Sequence, residues 1–345
     1  MLLGDRFKND SLPHISLNNF QKNNIKEFLS QVKETDFEKL NCLICSKFSF
    51  NMISEKDRYG IYYPTGICIN CGNVQQIKYL SHEIMSKFYS KYYNKIYFDF
   101  KDPKKRFISQ YKLASDKYRF ISEYVENIKK KEKFNILEIG CGPGGILKFF
   151  QDKGFTVQGV DFDEEHLEYG RKNNLNLLNE KSLNKSSKFD LIILSHVLEH
   201  IKDPIGEIKK IKNYLKNDSL IYIEVPSIQM INNMYDSDFL KYLHIAHCYH
   251  FSVDSFKNFC SNQNLDILKL NNKIQTLCKV GYQKSNIKLH YSKTMNEIKQ
   301  LENSYNRYGK LLILKRILRR TIGKILNLLG LKFFFLNLLN YKKEK

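Results

Sequence analysis

Between Phe134 and about Gln283, short apolar runs alternate with amphipathic stretches. The runs NILEI (135–139), TVQGVD (156–161), DLIIL (190–194), LIYIEV (220–225), DILKL (266–270) and QTLCKVGY (275–282) have strand length. Helical spacing falls between the first four, roughly at 144–152, 163–173 and 203–215, and about 252–263 precedes the fifth. Strands alternating with helices predict a doubly wound α/β domain, a largely parallel sheet covered on both faces, over 133–283. Upstream, residues 1–40 form a polar, mixed arm with an amphipathic segment around Ile25–Val32, and 41–78 hold two cysteine pairs among turn formers. The tyrosine-rich stretch YLSHEIMSKFYSKYYNKIYFDF and the helical spacing of 107–130 predict a helical connector over 79–132 that packs on the following domain. Residues 284–345 form a tail, and no internal repeat is visible.

At 345 residues the chain can bury one ordinary core and add a smaller module. Its formal charge of +20 raises the question of nucleic acid or an anionic membrane. Distribution narrows the question. Residues 310–345 hold ten basic side chains (Lys310, Lys315, Arg316, Arg319, Arg320, Lys324, Lys332, Lys342, Lys343, Lys345) against Glu344 alone, so +9 of the +20 lies there. The opening MLLGDRFKNDSLPH has neither an apolar run of signal-peptide length nor a small-residue cleavage site, so a cytoplasmic location is expected. In that reducing compartment the eight cysteines read as metal ligands or buried thiols rather than a disulfide framework.

ILEIGCGPGG sets a glycine-rich turn directly after an apolar strand and before a helix. Gly140 and Gly142 allow a sharp turn and close backbone approach to a ligand, and the helix N-terminus adds positive potential. Asp161 follows 21 residues after Gly140, at the end of the next strand, where an acid can accept both hydroxyls of a ribose. Together they indicate a nucleoside-bearing cofactor. Gly145 can serve as a third glycine, so the turn alone does not exclude a dinucleotide.

The ordered set Glu138-Ile-Gly140-Cys-Gly142-Pro-Gly144, Gly159-Val-Asp161, FDLIILSHVLEHIKDP and IYIEVPS resembles the successive motifs of class I S-adenosylmethionine-dependent methyltransferases. The resemblance implies a Rossmann-like sheet with helices on both faces and S-adenosylmethionine as cofactor, and it decides against a dinucleotide dehydrogenase. It also places Gly140, Gly142 and Gly144 under the amino-acid end of the cofactor and Asp161 on the ribose. Ser195 and His196 then form the floor of the acceptor pocket, and Glu138 anchors the glycine loop or the methionine ammonium through water.

In HVLEH, His196 and His200 stand at i, i+4 around Glu199; on a helix both imidazoles would share one face and could bind a divalent metal. The family resemblance favours the reading without a metal. A second histidine cluster, HIAHCYHFSVDSF (244–256), ends in Ser252, an N-cap for the next helix. It resembles the His-Glu-His-x-x-Tyr-Phe-Ser stretch of zinc-containing sugar C-methyltransferases, and by position the family's proposed base is His247. Ile245, Ala246 and His250 replace the family's first histidine, glutamate and tyrosine, and His244 stands where it has tyrosine. Methyl transfer needs a base because the sulfonium methyl is already electrophilic, and the protein's remaining tasks are alignment and proton removal. His247, His196 and His250 are the candidate catalytic groups.

Cys42-x2-Cys45 and Cys68-x2-Cys71 are separated by 22 residues, the spacing of two knuckles that close a tetrahedron around Zn²⁺. Four thiolates leave no open position, so a structural zinc ribbon is expected. A four-cysteine ribbon before such a domain resembles the sugar C-methyltransferases, here without their second α/β domain, since 62 residues follow Gln283. It also resembles a group of ribosomal-RNA methyltransferases. The continuation CGNVQQIKYLSHE favours the first, and with it a sugar, nucleotide-sugar or surface-glycan acceptor. The alternatives are ribosomal-RNA methylation and a non-catalytic adaptor with a relic cofactor domain.

GKLLILKRILRRTIGKILNLLGLKFFFLNLLN combines an apolar stripe with Lys315, Arg316, Arg319, Arg320 and Lys324 at helical intervals. Its longest charge-free run, 333–341, is too short to span a bilayer. An amphipathic helical tail in peripheral contact with the inner face of the membrane is the functional expectation, with nucleic acid the weaker partner; packing on its own domain or on a sister subunit is the alternative.

Overall fold

The computed structural model describes residues 2–97, 102–129, 134–184, 186–281 and 287–328. Before the large domain come α1 (Asn19–Leu29), β1 (Phe37–Lys39), β2 (Phe50–Lys56), β3 (Tyr62–Cys68), β4 (Val74–Gln76), β5 (Lys78–Leu80), α2 (His82–Lys87), α3 (Tyr93–Tyr97) and α4 (Pro103–Lys129). The large domain then runs β6 (Asn135–Ile139), α5 (Gly145–Asp152), β7 (Thr156–Asp161), α6 (Glu164–Lys172), β8 (Leu177–Asn179), β9 (Phe189–Ser195), α7 (Pro204–Lys212) and β10 (Leu215–Glu224). After it come α8 (Ile231–Tyr235), α9 (Phe239–Tyr242), β11 (Tyr249–His250), α10 (Val253–Asn262), β12 (Leu265–Leu270), β13 (Gln275–Val280) and α11 (Tyr291–Leu328).

Seven strands form one sheet in the order β12-β13-β10-β9-β6-β7-β8. The pairs β6–β7, β7–β8, β6–β9 and β9–β10 are parallel, and β13 runs antiparallel to both its neighbours. The strand order reverses between β6 and β9, which places the glycine turn at the crevice where open α/β sheets take ligands. Side chains alternate between two cores, because successive strand residues point to opposite faces. On β9, Leu191 and Ile193 pack with Ala114 and Ile121 of α4 and Phe150 of α5, whereas Ile192 and Leu194 pack with Ile208 and Ile211 of α7 and Phe259 of α10. Side-chain caps start the helices that return the chain. Asp163 caps α6, Asp203 caps α7 just before Pro204, and Ser252 caps α10 through a reciprocal box with Ser255.

The amino-terminal part is built onto this domain. The sheet that carries the cysteine knuckles has the order β11-β4-β3-β2, and its edge strand β11 comes from the far side of the catalytic sequence, with Tyr249 opposite Gln75 and His250 opposite Val74. Side chains reinforce the junction: Gln76 Nε2 donates to the carbonyls of Ile245 (3.0 Å) and His247 (3.2 Å), and Asp57 accepts from Ile245 N (3.0 Å). Arm, cysteine segment and connector share one core with one face of the large sheet, in which Phe7, Phe28, Ile67, Phe88 and Ile223 are all buried. Residues 98–101, 130–133 and 329–345, which include the last four basic positions of the tail, lie outside the described residues, as does Tyr282 at the end of the expected last strand.

Candidate cofactor and acceptor site

Gly140, Gly142 and Gly144 have φ of +68°, +54° and +80°, the left-handed region open to glycine. The turn is held from two sides. Gly142 N donates to Asp161 Oδ2 at 2.7 Å, while Asp161 Oδ1 accepts from the N–H groups of Phe162 (2.7 Å) and Asp163 (3.0 Å). From α4, Gln110 donates to the Cys141 carbonyl (3.1 Å) and accepts from Gly145 N (3.0 Å). A β-carbon on Gly145 would stand 2.2 Å from the Phe107 carbonyl oxygen, so glycine there lets α4 lie directly on the start of α5. Asp161 stays partly exposed with acceptor capacity left beyond the backbone bonds it takes.

Glu138 sits at 1% exposure under this turn, and its Oε2 has no hydrogen-bond partner among the described residues. Burial raises its pKa well above the usual carboxylate range, and Asp161 raises it further against the pull of Lys117 and Arg106. A buried acceptor without a donor is costly. The place therefore suits a cationic or protic group from a ligand, and the turn, Glu138 and Asp161 fit the amino-acid and ribose ends of S-adenosylmethionine.

At the carboxyl end of β9 the chain turns through His196 at φ +57°. No helix carries HVLEH: Leu198–His200 is a single 3-10 turn, so His196 and His200 do not share a helical face. Val197 lies on the glycine turn, where a β-carbon on Gly140 would meet its Cγ2 at 2.7 Å. The His196 side chain is half exposed; its Nδ1 is 3.3 Å from Glu199 Oε1 and its Nε2 3.8 Å from Glu224 Oε1. Burial works to lower its pKa, but the two carboxylates outweigh that and raise it above the ordinary histidine value. Glu224, at the end of β10, accepts from Tyr222 OH (3.0 Å) and Ser195 Oγ (3.4 Å) and is paired with Lys117 of α4. Burial works to raise its pKa, and Lys117 and His196 bring it below the usual value.

The second histidine cluster is deeper than its sequence suggests. His247 is 5% exposed, and its ring centroid lies 3.6 Å from that of His244 and 4.6 Å from that of His200. Burial and the neighbouring histidines push its pKa well below the ordinary value. His250, on β11, is fully buried; its Nε2 meets Tyr63 OH at 2.8 Å, its ring packs on Tyr242, and burial lowers its pKa to about 3. Both rings are buried, whereas that of His196 is half exposed. Sequence reasoning missed Gln110, Lys117 and Glu224. Of these only Glu224 carried a signal, an acid at the carboxyl end of an apolar strand.

In the cysteine segment, Cys42 Sγ and Cys71 Sγ are 3.4 Å apart and Cys45 Sγ and Cys68 Sγ 3.5 Å, with all four sulfurs within 4.8 Å of one another. A tetrahedron of thiolates at zinc distance has edges of about 3.8 Å, so the quartet fits such an ion. None of the eight cysteines forms a disulfide; Cys141, Cys248, Cys260 and Cys278 are buried thiols.

Residues 105–270 match the model of a methyltransferase-domain family. Ubiquinone biosynthesis O-methyltransferase of Glaesserella parasuis serovar 5 (strain SH0165) is 31% identical over 102 residues, 26% of this chain and 43% of that protein. (S)-Coclaurine N-methyltransferase of Papaver somniferum is 30% identical over 112 residues, 29% of this chain and 32% of that protein. The chain thus spans less than half the length of these curated relatives. Among solved structures, an S-adenosylmethionine-dependent methyltransferase from Clostridium acetobutylicum ATCC 824 aligns with a TM-score of 0.38 at 20% identity, over 57% of this chain and 99% of that one. The plantazolicin methyltransferase BpumL, in complex with a monoazolic desmethylPZN analog and SAH, aligns with a TM-score of 0.40 at 20% identity, over 64% and 88%. Residues 105–270, a little under half of the chain, thus resemble a methyltransferase domain.

Proposed function

We propose that this chain transfers the methyl group of S-adenosylmethionine to a hydroxyl or amine of a small-molecule acceptor, with His196 taking the acceptor's proton. The observation that carries the reading is the half-exposed His196 imidazole, held between Glu199 and Glu224 on a turn whose Val197 rests on Gly140. The cofactor supplies an electrophilic methyl. The chain's own residues align and deprotonate. Gly140, Gly142 and Gly144 shape the turn under the amino-acid end, Glu138 offers its orphan oxygen to the ammonium or an intervening water, and Asp161 accepts from the ribose. Ser195 and Glu224 hold the His196 turn in place.

Among hydroxyl-bearing acceptors, a sugar, nucleotide sugar or surface-glycan intermediate is the class we favour, on the resemblance carried by the cysteine segment. Cys42, Cys45, Cys68 and Cys71 hold a structural zinc in this reading, supported by the mutual approach of their sulfurs. We further propose a peripheral membrane role for α11, supported by exposed Leu311, Leu314 and Leu318 at i, i+3 and i+7 on one face. Among the described residues no helix is long and apolar enough to cross a membrane.

Two variants test the assignment together. Asp161→Ala is expected to weaken S-adenosylmethionine binding by roughly 10–100-fold in calorimetry, since two charge-assisted hydrogen bonds are lost. His196→Ala is expected to lower turnover by roughly 10²–10⁴-fold while cofactor affinity stays near wild type. Unchanged affinity in the first variant removes the cofactor assignment, and retained turnover in the second moves the base elsewhere.

A further inference from the structure

Glu199 is buried at 1% exposure, and neither carboxylate oxygen has a hydrogen-bond donor among the described residues. Its Oε1 lies 3.3 Å from His196 Nδ1, 3.8 Å from His200 Nε2 and 3.9 Å from His247 Nε2. The Glu199, His200 and His247 atoms, from the turn after β9 and from the loop before β11, all fall within 4.8 Å of one another. Ligands about 2.1 Å from a common ion stand some 3–4 Å apart, so the spacing suits a shared centre and is too long for direct hydrogen bonds.

The protonation of His200 sharpens the point. Its Nδ1 lies 2.9 Å from the Ala246 carbonyl, which can only accept, so Nδ1 carries the hydrogen. In the neutral ring Nε2 then presents a bare lone pair toward the Glu199 carboxylate, and two lone pairs meet with no cation between them. A backbone carbonyl that fixes the far nitrogen of an imidazole is the usual support of a metal-ligating histidine. A buried carboxylate with no donor is costly, and a dication removes that cost.

We propose that Glu199, His200 and His247 hold a divalent transition-metal ion at the acceptor end of the site. Two imidazoles and one carboxylate suit zinc, iron(II), cobalt or manganese better than magnesium or calcium, which favour all-oxygen shells. Three protein ligands leave a position open for an acceptor oxygen or nitrogen, with the His196 imidazole adjacent. The ion is separate from the cysteine quartet, whose four thiolates close their own shell. The inference rests on the reading of this strand end as the acceptor side.

The test uses the full chain with its cysteine site zinc-loaded, titrated with Mn²⁺ under electron paramagnetic resonance and then challenged with Zn²⁺. Manganese is chosen because it prefers nitrogen and oxygen ligands to thiolates. One Mn²⁺ per chain is expected, displaced by Zn²⁺, with affinity reduced tenfold or more in Glu199→Gln and in His247→Gln. Calorimetry with S-adenosylmethionine on the same preparations reports folding and the cofactor reading separately. Wild-type protein that takes up neither Mn²⁺ nor a second Zn²⁺ overturns the site, as does unchanged Mn²⁺ affinity in folded Glu199→Gln or His247→Gln. Absent cofactor binding by wild type would instead overturn the methyl-transfer reading.

Discussion

Lys117, in the middle of α4, is ion-paired with Glu224 at the carboxyl end of β10, and the two side chains are only 7% and 13% exposed. The pair ties the connector helix to the strand end that faces His196. Breaking a buried pair by removing one partner leaves the other charge uncompensated, at a cost of about 3–5 kcal/mol. Lys117→Met is expected to lower unfolding stability by about that amount in a denaturant titration. Adding Glu224→Gln should restore much of it; a double variant no more stable than the single one contradicts the assignment.

Because β11 completes the cysteine sheet, loss of zinc from the proposed site should be felt at the histidine loop. Changing Cys42 and Cys45 to Ser is expected to lower zinc content by one ion per chain and to raise hydrogen exchange over residues 244–251, beyond the knuckles themselves. Metal analysis and exchange mass spectrometry check the two halves. An unchanged zinc content, or exchange confined to 42–71, sinks the prediction.

Asp57 is fully buried, and burial raises its pKa to about 7 despite the backbone N–H groups of Tyr59, Ile61 and Ile245 that it accepts from. With its folded pKa above the unfolded one, the folded state holds the proton more tightly. The group's contribution is therefore complete below about pH 4 and is lost as pH rises toward 7, on the order of a few kcal/mol. The stability of wild type relative to Asp57→Asn should fall between pH 4 and pH 7. A difference that stays flat across that range rules the linkage out.

Deleting 310–345 is expected to move the protein from anionic liposomes to the supernatant in a sedimentation assay while sparing turnover of a soluble acceptor. An insoluble or inactive truncation would show that the apolar stripe packs on protein instead. Binding of the full chain to structured RNA, steeply salt-dependent and without liposome binding, would favour the ribosomal-RNA alternative.

The fold was legible where periodicity is local. NILEI and TVQGVD form β6 and β7 at the expected bounds, and DLIIL grows by one residue at each end into β9. β8 escaped because three residues, Leu177–Asn179, are too few to show a period. The left-handed glycine turn and the place of Asp161 beside it were readable because glycine spacing and strand position are local signals. The acceptor side was less so. HVLEH has helical spacing, yet the left-handed His196 and a single 3-10 turn bring its two histidines to Glu199 without a shared helical face, and no local pattern announces that. The depth of His247 depends on contacts with Gln76 and Tyr63, more than 160 positions away. Gln110, on a helix face that reads as ordinary solvent-facing polarity, staples the glycine turn only once α4 has docked.

Tyr249 and Gln75, paired across the edge of the cysteine sheet, are 174 positions apart in the chain. During synthesis the cysteine segment emerges early, but its last strand arrives only after β6 to β10 have been made. Its hairpins can close at once, whereas the edge of β4 stays open until residue 250 appears. Non-local pairing of this kind slows folding and leaves a strand edge available to the wrong partner. The cysteine module is thus begun before β6 to β10 and finished after them, by the histidine loop that carries β11.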